Sequence, residues 1–129
     1  MNSLEQFLAL PNVDDITGEV FVSERLGTFK VRAMSQNDLK DYQRKATGKY
    51  NKNGVDFDTA KFNLLIVAGQ TVEPNFSNAD FLKKAGCLTA EQFISSKFLA
   101  GEISALVDGI QKISGFENDM NEDVEEAKN

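Results

Sequence analysis

The chain has 129 residues, of which 41% are hydrophobic and ten are phenylalanines, and this composition predicts one folded domain with a modest core. Its formal net charge of −6 disfavours binding to nucleic acid through bulk charge, because the phosphate backbone would be repelled. The absence of histidine removes the commonest general base, and a single cysteine excludes both an internal disulfide and a cysteine-rich zinc site.

The N-terminal region is predicted to contain a short helix followed by a β-hairpin. Residues Ser3–Gln6 have the spacing of a capping box, and the helix must end before Pro11. After a turn-rich linker over residues 12–18, two segments alternate apolar and polar residues, which is typical of strands with one buried face. Their apolar positions are Val20, Val22, Phe29, Val31 and Ala33. This face should pack on helices, because an isolated hairpin is marginally stable in water.

From Ser35 the hydrophobic period changes to that of helices. Ser35 is predicted to cap a helix that has Asp38 in its first turn and Leu39, Tyr42 and Ala46 on its apolar face. A basic run starts in this helix and consists of Lys40, Arg44, Lys45, Lys49 and Lys52. The pattern favours a solvated face with bases near a helix C-terminus, and the alternative is a docking patch for an acidic partner.

The polar segment Thr47–Phe57 has two glycines and an Asn53-Gly54 turn signal, and it is predicted to be a flexible loop. Asp58 then caps a helix in which Leu64–Ala68 is apolar on nearly every side, as in a central core helix. Three shorter helices should follow, over Asn78–Ala85, Ala90–Phe98 and Glu102–Ser114. Six phenylalanines are assigned to the core, with an exposed groove for a partner helix as the alternative: Phe57, Phe62, Phe76, Phe81, Phe93 and Phe98.

These elements predict an α+β fold, in which one mostly helical domain over residues 1–116 carries an N-terminal β-hairpin. Residues 117–129 form an acidic tail that we expect to be mobile. Residues 116–129 contain six acids and one lysine, whereas the other 115 residues are nearly neutral. The tail either keeps the protein soluble or acts as an interaction segment.

The sequence contains no motif that indicates a catalytic or ligand-binding site. No phosphate-binding glycine motif occurs, and the acids at 14–15 and 56–58 lack the alternating pattern of a calcium loop. Cys87 is expected to be a small core filler. No apolar run approaches the roughly 20 residues of a membrane span. We therefore expect a soluble, cytosolic, non-enzymatic protein with no catalytic, cofactor-binding or metal-binding residues, no cofactor and no contact with nucleic acid or membrane.

Several segments, taken in chain order, carry a resemblance to a known family: Leu4–Leu8, Glu19–Arg25, Lys45–Thr47, Leu64–Gly69, Val72–Phe76, Leu99–Glu102, Gly115–Phe116 and Val124–Asn129. Together they resemble the small tail assembly chaperones of contractile-tailed phages and prophages of Gram-positive bacteria. The hairpin turn around Leu26–Thr28 is shorter than is usual in that family and lacks the expected tryptophan near Phe29.

The resemblance implies a non-enzymatic protein of the host bacterial cytoplasm that binds the tape measure protein, the long, helical, aggregation-prone ruler of tail length. It also implies recruitment of tail tube protein, contacts made in multiple copies, and absence from the mature virion. Two other classes stay open at this stage. One is a structural tail or baseplate adaptor of the virion, and the other is an acidic inhibitor or nucleic-acid mimic.

We expect the domain to fold without metal, nucleotide or disulfide. Its predicted elements supply enough apolar residues for a core, and the sequence has no motif for binding a metal or a nucleotide and only one cysteine. The midpoint of thermal unfolding, followed by circular dichroism, should therefore be the same with and without chelator or reductant. A drop of several degrees on adding a metal chelator would contradict this expectation.

Overall fold

The computed structural model describes residues 3–52 and 54–116. The helices in this part of the chain are α1 (Ser3–Leu8), α2 (Gln36–Ala46), α3 (Thr59–Gln70), α4 (Ala79–Ala85), α5 (Ala90–Lys97) and α6 (Ala100–Ile113). The strands are β1 (Thr17–Ser23), β2 (Gly27–Arg32), β3 (Thr47–Asn51), β4 (Gly54–Phe57) and β5 (Thr71–Glu73). The prediction of a mostly helical α+β fold with an N-terminal hairpin is confirmed.

The N-terminal hairpin pairs β1 with β2 in antiparallel register, with Val20 opposite Phe29. All five apolar positions predicted from the alternation are buried. Gly27 begins β2 with a φ of 78°, a left-handed conformation that glycine adopts without a Cβ penalty. The short β5 adds a third, antiparallel strand beside β2 and was not predicted, because three residues are too few for a periodic signal.

Helix α6 lies along the hairpin from its turn to its open end. At the turn, Ser23 Oγ donates a hydrogen bond to Glu102. Near the middle, Gly109 packs so closely on Val20 that an added Cβ would overlap the valine methyl. At the open end, Ser114 Oγ accepts a hydrogen bond of 2.8 Å from the backbone N–H of Met34. The buried side chains of α6 therefore cover the apolar face of the sheet, as predicted.

Helix α3 is the central helix that the sequence predicts, because Leu65, Ile66 and Val67 are buried on it. Its last residue, Gln70, is fully buried and was not singled out from the sequence. The Gln70 side chain donates to the backbone oxygens of residues 32 and 33 and accepts a hydrogen bond of 2.6 Å from the Tyr42 hydroxyl. Burial raises the pKa of Tyr42 to about 12, so this hydroxyl keeps the proton that it donates.

The prediction of a loop over Thr47–Phe57 was wrong, because this segment contains the paired strands β3 and β4. Asn51 pairs with Gly54, whose φ is 105°. The residues of these strands whose exposure is described are exposed, except Gly54. A hairpin without a buried face lacks the apolar alternation from which strands are recognised, so only its turn signal was visible.

The remaining helix boundaries agree with the predictions to within two residues. Asn78 and Thr89 cap α4 and α5 through their side chains, and Gly86 closes α4 with a φ of 72°. Helix α6 begins at Ala100, two residues before the predicted start. The acidic tail, residues 117–129, lies outside the described residues, and the domain boundary at residue 116 stays a prediction.

The close approach of α6 to β1 predicts that two glycine substitutions in the same helix change the free energy of unfolding differently. Gly109→Ala should lower the free energy of unfolding by about 1–3 kcal/mol, because its Cβ overlaps Val20 in a packed core. Gly101→Ala is the matched control, since it meets open space and should be neutral or stabilising by up to about 1 kcal/mol. Urea unfolding measures both, and equal stabilisation of the two variants would contradict the packing described.

Candidate interaction surfaces

Glu102, in the first turn of α6, joins the hairpin turn to the helical part of the domain. Its carboxylate accepts hydrogen bonds from Ser23 Oγ at 2.6 Å, from Arg25 Nε at 3.2 Å and from the backbone N–H of Leu99 at 2.7 Å. A second guanidinium nitrogen of Arg25 also bonds the carboxylate and reaches the backbone oxygen of Lys97 at 2.9 Å. The residue is 4% exposed, so this is a buried carboxylate whose partners are all defined.

The hydrogen bond from Arg25 is the main reason why the pKa of Glu102 falls to about 2 from its ordinary 4.5. Burial acts in the opposite direction, while Ser23 and the N–H of Leu99 add to the lowering. Glu102 is therefore ionised at neutral pH, and its hydrogen bonds tie the hairpin turn to the start of α6. Glu102 occupies the third position of α6, from which a glutamate can accept a hydrogen bond from the N-cap N–H, but Leu99 has no side-chain oxygen and the sequence therefore shows no capping box.

Beside this network lies an apolar cleft of about 310 Å³, here called the aromatic groove. It is lined by Arg25, Leu26, Phe29, Pro74, Phe76, Phe93, Lys97 and Phe98. Phe76 is the centre of the cluster beneath it, with ring centroids 5.5–6.1 Å from those of four other phenylalanines. The groove thus has a packed aromatic floor and two basic side chains, Arg25 and Lys97, in its lining.

A second cleft, of about 230 Å³, lies where α3, α5 and α6 meet, and it is here called the helical cleft. It is lined by Ala60, Asn63, Leu64, Ser95, Ala100 and Ile103. None of these residues is charged and three have small side chains, which lets the backbone of another helix approach closely. Such a cleft suits an amphipathic helix that inserts its apolar side chains between Leu64 and Ile103.

Helix α1 presents apolar side chains that the domain does not cover. Leu4, Phe7, Leu8 and Leu10 are 75%, 67%, 87% and 62% exposed, and no residue of α1 is buried. Single exposed leucines are ordinary, but four large apolar side chains within seven residues form a patch of the kind that marks an interaction site. The sequence predicted the helix and its apolar face, but not that the other described residues leave this face exposed.

The basic run does not form a uniformly positive surface. Arg44 and Lys45 both form ion pairs with Asp41, at 2.6 and 3.0 Å. Near the end of α2, a cleft of about 460 Å³ is lined by two lysines, Lys45 and Lys61, and by two acids. This mixed charge supports the interpretation of a solvated face, while docking of an acidic partner on the run stays a prediction.

The assignment of the phenylalanines to the core is confirmed for Phe76, which is buried, and for four partly buried rings that pack against the core: Phe62, Phe81, Phe93 and Phe98. Phe57 is 47% exposed and contacts Phe62 with a ring separation of 5.3 Å, so its assignment was wrong. Cys87 is half-buried outside the core, and the expectation that it fills the core was also wrong.

The described residues contain no cluster of three acidic or cysteine side chains able to hold a metal ion. The expectations of no metal and no cofactor stay predictions. Within residues 3–52 and 54–116, no helix has the length and apolar character needed to cross a membrane.

Comparison with known proteins gives the family. The family model described as phage XkdN-like tail assembly chaperone protein matches residues 4–128. The chain belongs to this family. No curated protein matches this chain. It is similar to a solved structure, the crystal structure of the protein YqbN, with a TM-score of 0.67 and 17% identity over 90% of this chain and 98% of that one. At this identity the likeness shows a shared fold.

The Glu102 network predicts a specific dependence of stability on pH. The folded-state pKa lies below the ordinary value, so the stabilisation is complete above pH 4.5 and is lost as pH falls from about 4.5 to about 2. Glu102→Gln should lower the free energy of unfolding at pH 7, and the difference from the wild type should shrink across that range. Glu19→Gln, on the exposed side of β1, is the control. Urea titrations at several pH values measure this, and a difference that is constant with pH would contradict the assignment.

Proposed function

We propose that this tail assembly chaperone binds the tape measure protein of its phage and keeps it soluble until tail tube protein polymerises around it. On this proposal it works in the host bacterial cytoplasm, belongs to a contractile-tailed phage or prophage of a Gram-positive bacterium, and is absent from the mature virion. Membership of the tail assembly chaperone family supports the proposal, because a long ruler with exposed apolar helices is the tail component most in need of a chaperone.

The helical cleft is the proposed binding site for the tape measure. Its lining is uncharged and its flanks are helices, which suits a helical segment of the tape measure better than an extended peptide or an anion. The cleft is small and open, and a contact of this size is weak on its own. Weak contacts dissociate rapidly, so many copies can bind along a long partner and each copy can still leave as the tube grows.

The acidic segment 117–129 supports the same function through its charge. It carries six of the twenty acids of the chain and one lysine. A copy bound to the tape measure adds this negative charge to the complex, and like-charged complexes repel one another and resist precipitation. We therefore assign solubility of the complex, and not recognition, to this segment.

The proposal is tested by co-expression with the tape measure protein encoded by the same phage. Ser95→Arg places a long charged side chain in the helical cleft from an exposed position of α5, so the tape measure should shift to the insoluble fraction and fail to copurify. Ser96→Arg is the matched control, because Ser96 is adjacent, exposed and outside the lining of the cleft. Circular dichroism should show that both variants are folded.

Two further experiments test the role of the acidic segment and the absence of the chaperone from mature tails. A chain that ends at Phe116 should still copurify with the tape measure but should give a less soluble complex. Mass spectrometry of purified mature tails should find no copies of the chaperone. Equal binding by the Ser95→Arg and Ser96→Arg variants would remove the cleft from the proposal. Stoichiometric presence in mature tails would identify a structural tail or baseplate component instead.

A further inference from the structure

The end of α6 brings the chain to the first turn of α2. The backbone N–H groups of Gly115 and Phe116 donate to the oxygens of Lys112 and Gln111 at 3.2 and 3.0 Å, which fixes the turn that follows the helix. Phe116 also lines a cleft of about 130 Å³, and the other residues of its lining are Met34, Ser35, Gln36, Leu39 and Ser114. The acidic segment 117–129 therefore starts beside Gln36.

A row of exposed side chains runs along α2 from this point. Residues four positions apart lie on the same side of a helix, and Gln36, Lys40 and Arg44 have this spacing. All three are exposed. Lys49 and Lys52 follow in the β3–β4 hairpin and are exposed as well. The basic run thus begins one helical turn from the residue beside which the acidic segment starts.

The described residues neutralise only part of the basic run. Asp41 forms ion pairs with Arg44 and Lys45. Lys40 and Lys49 form no ion pair within the part of the chain that the structure describes. The segment 117–129 contains six acids and one lysine. The segment and the basic run are therefore complementary in charge.

The acidic segment is long enough to follow the whole of α2. Its 13 residues span up to about 43 Å when extended, whereas the 11 residues of α2 measure about 16 Å. Because the segment is tethered beside its own α2, it meets this helix at an effective concentration of roughly millimolar order. The α2 helix of the same chain is therefore favoured over that of another copy in dilute solution.

We propose that the acidic segment 117–129 folds back along α2 of its own chain and docks on the basic run. Its carboxylates then pair with Lys40 and Lys49, which the described residues leave unpaired, and add to the charge around Arg44. Exposed ion pairs are individually weak and are screened by salt, so this contact forms and releases readily.

The docked segment covers the basic run and keeps it from other anionic polymers. Residues 1–116 contain 14 acids and 13 bases, so an uncovered run is a positive region on a nearly neutral domain. A cluster of bases of this kind attracts polyanions. Docking leaves part of the charge of the segment unused, because Arg44 and Lys45 are already paired with Asp41. The role of the segment in solubility is thus retained.

A neutral-tail variant of the full chain tests the contact. It replaces each acid of the segment by its amide, through Glu117→Gln, Asp119→Asn, Glu122→Gln, Asp123→Asn, Glu125→Gln and Glu126→Gln. In ¹H–¹⁵N NMR spectra at low salt, the backbone amides of Lys40, Arg44 and Lys49 should shift between the wild type and this variant. Raising the salt from about 0.01 M to about 1 M shortens the screening length from about 30 Å to about 3 Å, so this difference should disappear.

Charge reversal at exposed lysines supplies a matched comparison. Lys40→Glu with Lys49→Glu reverses two bases of the run, whereas Lys83→Glu with Lys84→Glu reverses two bases of α4, outside the run. Both pairs change the net charge equally. Neutralising the segment should leave the amides of α2 unchanged in the first background and should still shift them in the second. The dispersion of the spectra shows that each variant is folded.

Binding to heparin, used as a polyanion, measures the covering of the run. At low salt the neutral-tail variant should bind heparin at least about tenfold more tightly than the wild type, because its basic run is open. Adding Lys40→Glu with Lys49→Glu should abolish this gain. Adding Lys83→Glu with Lys84→Glu should largely retain it, although the net charge is the same.

The proposal is overturned if neutralising the segment shifts no amide of α2, or if the shifts are equally large after reversal of Lys40 and Lys49. Shifts that grow with protein concentration would place the segment on a second copy and would contradict docking within one chain. Equal heparin affinities of the wild type and the neutral-tail variant would overturn the covering of the run. None of these outcomes involves the tape measure, whose proposal fails separately through unchanged binding by the Ser95→Arg variant.

Discussion

The packing of α6 along the β1–β2 hairpin is the contact on which the rest of the domain depends. A two-stranded hairpin with a short third strand cannot hold its apolar face in water, and α6 supplies the surface that covers it. The 14 residues of α6 and the seven of β1 have nearly the same length, about 21 and 23 Å. Gly109 lets the helix come close enough for Val20 to be buried. Helix α3 also packs on α6.

Buried polar groups hold the elements around this contact in one arrangement. Glu102 fixes the start of α6 at the hairpin turn, and Gln70 fixes the end of α3 to the end of β2 and to Tyr42 on α2. Each would be costly to bury without its hydrogen bonds, so alternative packings that separate these partners are disfavoured. The core is complete without α1, the aromatic groove and the helical cleft, which the other described residues leave exposed. This separation is consistent with the proposed function, in which contacts with the tape measure form and are later released.

The candidate surfaces could be predicted from sequence only in part. The apolar face of α1 follows from the spacing of Leu4, Phe7 and Leu8, but its exposure in the described part of the chain depends on where the chain after Pro11 leads. The aromatic groove brings together residues of β2, of the segment after β5 and of α5, which are far apart in the chain. The sequence shows which of these residues are apolar, but their local spacing contains no information about which of them stay at the surface.

The sequence by itself determined the helices with side-chain caps, because a cap depends on residues that are close in the chain. It also determined the buried face of the N-terminal hairpin and the central position of α3, because these follow from the spacing of apolar residues. It also carried the family resemblance. Only the tertiary structure decided that residues 47–57 contain paired strands, that Thr71–Glu73 joins the sheet, and that Glu102 and Gln70 are buried. Each of these depends on hydrogen bonds to residues that the local pattern cannot identify, since pairing and burial of polar groups are decided by the partner and not by the residue alone.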